Sequence, residues 1–389
     1  MKSYAHSATG RRRLLPTCAF AVSALALTVP QILAGGAAHA TSMSGTGAGH
    51  TAGITTPRQH PVATVSYDLG DRAYRLPETG EPVELAASVH YPRDLGAGPY
   101  PLVVVLHGWH ETCADREAET ARAAAQQAQD WDAYEAAGQK LFAWPCAPGT
   151  APIASDRGYD YLGENLAAQG FVVVSVSANG INASSVSGDE NASARAGLIN
   201  RHLALWQRLN STGGGPLAGR FRDRDTGKPV GVRLAAHVDL SRVGTLGHSR
   251  GGAGVTWQAA DSHRSQWPDG VRVGAVLALA PAYNVMTEDM SAYTLTGTPM
   301  AVVRGTCDGQ VGTEAFAFAG EATAGDSEEF LTYAPPGANH NYFNTRWSPM
   351  SGEVAAADGD AVQLTEKQQR RLGTEYAVDF FRRHLDDGK

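Results

Sequence analysis

The chain has 389 residues, 43% hydrophobic and 18% charged, with a formal net charge of −7. That length accommodates one decorated α/β domain, and the acidic balance argues against nucleic acid or another polyanion as partner. No stretch beyond the first 40 residues approaches the length of a membrane span.

Residues 1–40 read as an export signal. Lys2 and Arg11-Arg12-Arg13 form a positive start, Leu14–Leu33 is mostly apolar and uncharged, and Ala38-His39-Ala40 fits a small-residue cleavage site. The mature chain is therefore expected to begin at Thr41, outside the cell and without an integral membrane segment. Arg11-Arg12-Arg13-Leu14-Leu15 also resembles a twin-arginine signal, and an ordinary secretory signal with a long basic start fits equally. Cleavage removes four basic residues and no acidic ones, taking the charge to −11. Residues 41–61 are rich in Gly, Ser and Thr and read as a flexible leader; a single domain is expected over 62–389.

Val62–Tyr67 and Val83–Tyr91 predict an antiparallel opening pair. Pro101–His107 carries five consecutive apolar residues without alternation, the pattern of a strand buried on both faces of a mainly parallel sheet. An insertion of about 111–156 follows, its middle (Ala114–Ala137) rich in helix formers. Arg157–Gln169 predicts an amphipathic helix stopped by Gly170, and Phe171–Val176 a further buried strand. Asn191–Leu209 reads as a helix and Asn210–Val230 as a polar excursion. Its Asp223-x-Asp225-x-Gly227 lacks the acid a calcium loop needs at the twelfth position, so a surface loop is expected. Strands at Val243–Leu246, Val271–Leu279, Met300–Val303 and Glu329–Tyr333 and a last helix over Thr365–Leu385 complete an α/β pattern, a mainly parallel sheet flanked by helices.

Parallel sheets place their sites at the carboxyl ends of strands. Gly247-His248-Ser249-Arg250-Gly251 sits between a strand and a helix, the setting of a nucleophile elbow, whose glycines leave room for a tight turn. The pattern alone is weak in a chain with 44 glycines. Asp308 follows another strand, and His340 lies in the loop after the last one. A carboxylate can orient an imidazole, and an imidazole can take a serine proton at neutral pH. The order Ser249, Asp308, His340, each after a strand, is that of a hydrolase triad. His107-Gly108-Trp109 ends the buried strand, so the N–H groups of Trp109 and Arg250 are the expected oxyanion donors, with the indole walling the acyl site. A His107–His110 metal pair lacks a third ligand, and no metal or cofactor is expected. The side chain of Arg250 is expected in an ion pair on its helix, as is that of Arg242 with Asp239.

Three cysteines remain after cleavage. Cys113–Cys146, within the insertion, is the preferred disulfide, which leaves Cys307 buried; a pair involving Cys307 stays open.

With these residues in hand, the chain resembles secreted bacterial serine hydrolases of the α/β-hydrolase superfamily, nearest to cutinase-like and dienelactone-hydrolase-like esterases. The resemblance rests on Tyr161–Val173, Gly247–Gly252 and Leu277-Ala278-Leu279-Ala280-Pro281. It implies the α/β-hydrolase fold and a serine esterase working through an acyl-enzyme on an ester-containing small molecule, lipid or polymer, as a monomer. Polyester-cleaving cutinases usually carry Met where this chain has Arg250, and they lack the insertion, here expected to form a partial lid. A peptidase or amidase on the same triad and a non-catalytic binding protein on the same scaffold are the alternatives.

Overall fold

The computed structural model describes residues 59–282, 290–323, 330–347 and 362–386. The export signal and most of the flexible leader lie outside them. The strands are β1 (Val62–Asp68), β2 (Tyr74–Arg75), β3 (Pro82–Val83), β4 (Ala86–Pro92), β5 (Tyr100–Leu106), β6 (Val172–Val176), β7 (Arg222–Asp223), β8 (Val238–His248), β9 (Val273–Leu279), β10 (Met300–Val303) and β11 (Phe330–Tyr333). The helices are α1 (Arg116–Ala128), α2 (Trp131–Leu141), α3 (Asp160–Ala168), α4 (Asn179–Asn182), α5 (Gly188–Thr212), α6 (Arg250–Ala259), α7 (Ala317–Thr323) and α8 (Glu366–Leu385).

Nine strands form one sheet in the order β11-β10-β9-β8-β5-β6-β4-β1-β7. From β11 to β6 every pairing is parallel; β4, β1 and β7 add an antiparallel edge. The fold is thus α/β with a mostly parallel sheet. β2 and β3 make a separate small ribbon.

Every residue of β5 and β6 is buried, which is why their sequences do not alternate. Successive β5 residues face two cores. Leu102, Val104 and Leu106 pack with Leu198, Trp206 and Val255 of α5 and α6. Val103 and Val105 pack on the other side with Leu162, Leu166, Phe380 and Phe381 of α3 and α8. The two layers fix the sheet in register, since a one-residue slip would exchange the two sets.

From β5 the chain crosses to β6 on one side and later to β8 on the other. The carboxyl ends of β5 and β8 therefore flank the topological switch point, where open α/β sheets leave a crevice.

The insertion differs from the expected single helical run. It forms two helices broken at Gln129, which is left-handed (φ 56°, ψ 30°), and restarted by Asp130, whose side chain accepts from Ala133 N–H. Asp115 caps α1 in the same way. A short polar side chain at the cap competes for the backbone and ends the preceding helix. The Cys113–Cys146 disulfide closes the segment, with Cα atoms 5.6 Å apart, and Cys307 is free and buried. In the polar excursion, Asp223 caps a turn by accepting from Thr226 N–H and Oγ1, and Arg222–Asp223 adds an edge strand to β1. No described helix is long and apolar enough to cross a membrane.

Candidate active site

Ser249 joins β8 to α6 at φ 56° and ψ −127°, outside the comfortable regions for a residue with a Cβ. The neighbours enforce this. Ser249 N–H donates to Leu279 O (2.9 Å), and Ser249 O accepts from Gly252 N–H (2.8 Å) and Ala282 N–H (3.0 Å). A Cβ on Gly247 would strike Gly251 O, and one on Gly251 would strike Leu106 O. The serine is 6% exposed.

Gly108, at the end of β5, lies directly against it: a Cβ there would sit 2.5 Å from Ser249 Cβ and 3.0 Å from Oγ. The carbonyls of this loop are turned inward. His107 O accepts from Arg195 Nη1 (3.0 Å), while Asn182 Nδ2 donates to Gly108 O (3.0 Å) and His110 O (3.2 Å). Ala178 N–H donates to His107 Nε2 (2.8 Å), so Nδ1 carries the proton and donates to Gly108 O (2.9 Å). With those carbonyls occupied, the N–H groups of Trp109 and Arg250 make no hydrogen bond among the described residues.

Asp308 and His340 come from the loops after β10 and β11. Both are buried, with Nδ1 to Oδ2 at 2.8 Å. The carboxylate accepts the Nδ1 proton, which in a neutral imidazole puts the ring lone pair on Nε2. Asp308 Oδ1 accepts from Gln310 N–H (2.9 Å) and Val311 N–H (2.8 Å), so the acid is held at both oxygens. The loops are stitched together by Cys307 N–H to Ala338 O (2.9 Å) and Gly337 N–H to Thr306 Oγ1 (2.9 Å). Gln369 of α8, fully buried, clamps the base loop: Oε1 accepts from Asn339 N–H (2.8 Å) and Nε2 donates to Asn339 O (2.7 Å).

An aromatic stack links the parts. Trp347 lies flat on His110 (5.1 Å between centroids, 5°) and on His248 (4.9 Å, 29°), and the His248 ring is 4.9 Å from that of His340. His248 Nδ1 is hydrogen-bonded to Tyr159 Oη (2.8 Å). Burial holds His248 well below the usual histidine range, with the His340 ring adding to it. Burial, then the Arg195 charge, pushes His107 down to about 3, and burial pushes His110 down to about 4. These rings are neutral packing elements at pH 7.

The structure brings Ser249, Trp109 and Arg250 together at one end of the sheet and pairs Asp308 with His340. Asp239 and Arg242 form the expected ion pair (2.7 Å). Arg250 does not form its expected one among the described residues. Its recorded contact is the Trp109 indole, with Cζ 4.9 Å from the ring centroid. Trp109 is 42% exposed and stacks on Phe142 of the insertion (4.6 Å, 11°) rather than packing in the core. Sequence reasoning missed Asn182, Arg195, Gln369, Tyr159 and Trp347. Each acts across more than a dozen residues on another element, apart from the Arg195–Asn191 contact within α5, and none stands in a motif. The one available signal was Arg195, a charge on the apolar side of a helix. Among the described residues no group of three or more His, Cys, Asp or Glu is placed to hold a metal.

No protein-family model matches this chain, and no curated protein matches it. The class that the structure defines is an α/β fold with a mostly parallel sheet and, among the described residues, one disulfide.

Proposed function

We propose that this chain is an exported serine esterase of the α/β-hydrolase type. The observation that carries the reading is the buried 2.8 Å Asp308–His340 hydrogen bond, formed by the loops next to a serine held in left-handed backbone at the switch point. In this reading His340 Nε2 takes the Ser249 proton as Oγ attacks the ester carbonyl, and Asp308 stabilises the imidazolium. The N–H groups of Trp109 and Arg250 receive the oxyanion; each such donor contributes on the order of 3–4 kcal/mol in the transition state. His340 then protonates the leaving alcohol and guides water onto the acyl-enzyme. The α1–α2 segment, fastened by its disulfide and by Phe142 on Trp109, serves as a partial lid over the acyl side.

Ser249→Ala is expected to lower kcat on a p-nitrophenyl ester by at least about 10⁴-fold while the far-UV circular dichroism stays the same. A fluorophosphonate should label the parent protein at Ser249 and not the variant. Residual turnover near the parent rate would remove the assignment. Acyl esters are expected to be cleaved in preference to aminoacyl anilides, and the reverse preference would make the enzyme an amidase.

A further inference from the structure

Arg250 follows the serine directly, and no carboxylate among the described residues pairs with it. It is not a fully solvated side chain either: it is partly buried, and burial lowers the affinity of its guanidinium for the proton. Nearby lies a second guanidinium, that of Arg195, fully buried. Its hydrogen bonds go to neutral acceptors: Nε to Asn191 Oδ1 (2.8 Å), Nη1 to His107 O (3.0 Å) and Nη2 to Asn182 Oδ1 (2.5 Å). The carboxylate that acts on Arg195 through space is Glu84, which is itself engaged by Ser177 Oγ, Asn179 N–H and Gly180 N–H. Burial first, and then the Arg250 charge, pushes Arg195 down to about 9, still cationic at neutral pH.

The chain as a whole is acidic, at −7, so this local excess of positive charge is not a general property of its surface. Keeping like charges partly out of water without a neutralising acid costs free energy. An arriving anion recovers it, and a guanidinium offers that anion a planar pair of N–H donors. Trp109 provides a flat apolar face beside the guanidinium, suited to a ring or short chain between the anion and the reacting carbonyl.

We propose that Arg250 sets the substrate class of this site: its guanidinium takes a carboxylate carried by the ester, with the Trp109 indole packed against the segment joining that carboxylate to the scissile carbonyl. The inference rests on the esterase reading and narrows it to anionic esters. The carboxylate is bound and not changed; water cleaves the acyl C–O bond to give the acid and the alcohol.

Two matched pairs of esters test it on the full-length mature protein. One pair is 4-acetoxybenzoate and its methyl ester, with the charge on the alcohol side. The other is the p-nitrophenyl monoester of adipic acid and its methyl-capped form, with the charge on the acyl side. The parent enzyme is expected to show kcat/KM at least tenfold higher for the charged member of one pair, with the preference narrowing in 0.5 M NaCl. Arg250→Gln should lower that charged-to-neutral ratio at least tenfold, and Arg250→Lys should retain part of it. A general electrostatic aid to the oxyanion would act on both members alike and leave the ratio unmoved. A parent enzyme without preference in either pair, or a ratio unaffected by Arg250→Gln, overturns the inference. Should the protein be labelled at Ser249 and hydrolyse the neutral esters without preference, only this inference falls. Should it hydrolyse none of the four esters and resist labelling, the esterase reading falls with it.

Discussion

At Gln369 a single side chain satisfies both backbone groups of Asn339, the residue before His340. A buried amide and carbonyl left without partners cost about 1–3 kcal/mol each. Gln369→Ala is therefore expected to lower the thermal midpoint by several degrees and to reduce kcat on a simple ester, because the imidazole loses its fixed approach. Gln369→Glu keeps only the acceptor half and sets a buried carboxylate oxygen against Asn339 O, so it should recover little of the loss at neutral pH. Thermal melts and steady-state kinetics on the same preparations check both; a variant with unchanged Tm and kcat would show that the clamp is dispensable. The same logic explains why Arg195 and Asn182 matter. They orient the loop after β5 by occupying its carbonyls, a role that no residue type announces.

At the scale of elements, the α1–α2 segment is closed on itself by Thr112 Oγ1, within reach of Leu141 O and Ala143 O. It meets the rest of the fold through Trp144 Nε1 donating to Asp71 O and Phe142 stacked on Trp109. The disulfide spans 33 residues, which on the chain-entropy model corresponds to about 3–4 kcal/mol of stabilisation. Cys113→Ser with Cys146→Ser should lower stability by a comparable amount and make the segment open to proteolysis before the sheet unfolds. Limited proteolysis followed by mass spectrometry reads this directly, and first cleavage elsewhere would contradict it. Much of this level was legible in advance. The unbroken apolar runs of β5 and β6 announced buried parallel strands, and Gly170 announced the end of α3. The break at Gln129 was not anticipated, since both flanks are equally good helix formers and only the capping by Asp130 separates them.

For the whole molecule, buried histidines make the fold acid-sensitive, an effect that Asp156, pushed up to about 7 by burial, offsets in part. His107 and His202 are held down to about 3 and His110 to about 4, chiefly by burial, against about 6.5 in an unfolded chain. Below that value the unfolded state binds protons that the folded state refuses, so stability is lost as pH falls from about 6.5 toward 4. Each such ring contributes a limiting slope of about 1.4 kcal/mol per pH unit. Urea midpoints are expected to fall steeply between pH 6.5 and 4.5, and His202→Phe should flatten the dependence. A midpoint constant over that interval would mean that these rings are protonated in the folded protein.

The sequence by itself determined the α/β class, the positions of the principal buried strands and the residues at their carboxyl ends. Those features are local or periodic: apolar runs mark burial, and glycines at 247 and 251 mark a turn too tight for side chains. It also singled out Cys113–Cys146, since both cysteines bound one inserted segment. Only the tertiary structure decided how distant groups meet. Strand order put the ends of β5 and β8 side by side, so that Gly108 touches Ser249; helix packing carried Gln369 to Asn339 and Arg195 to His107. The charge state around the serine was decided there as well. Whether Arg250 finds an acid depends on what chain crossings bring within a few ångströms, and among the described residues they bring it the face of Trp109 instead.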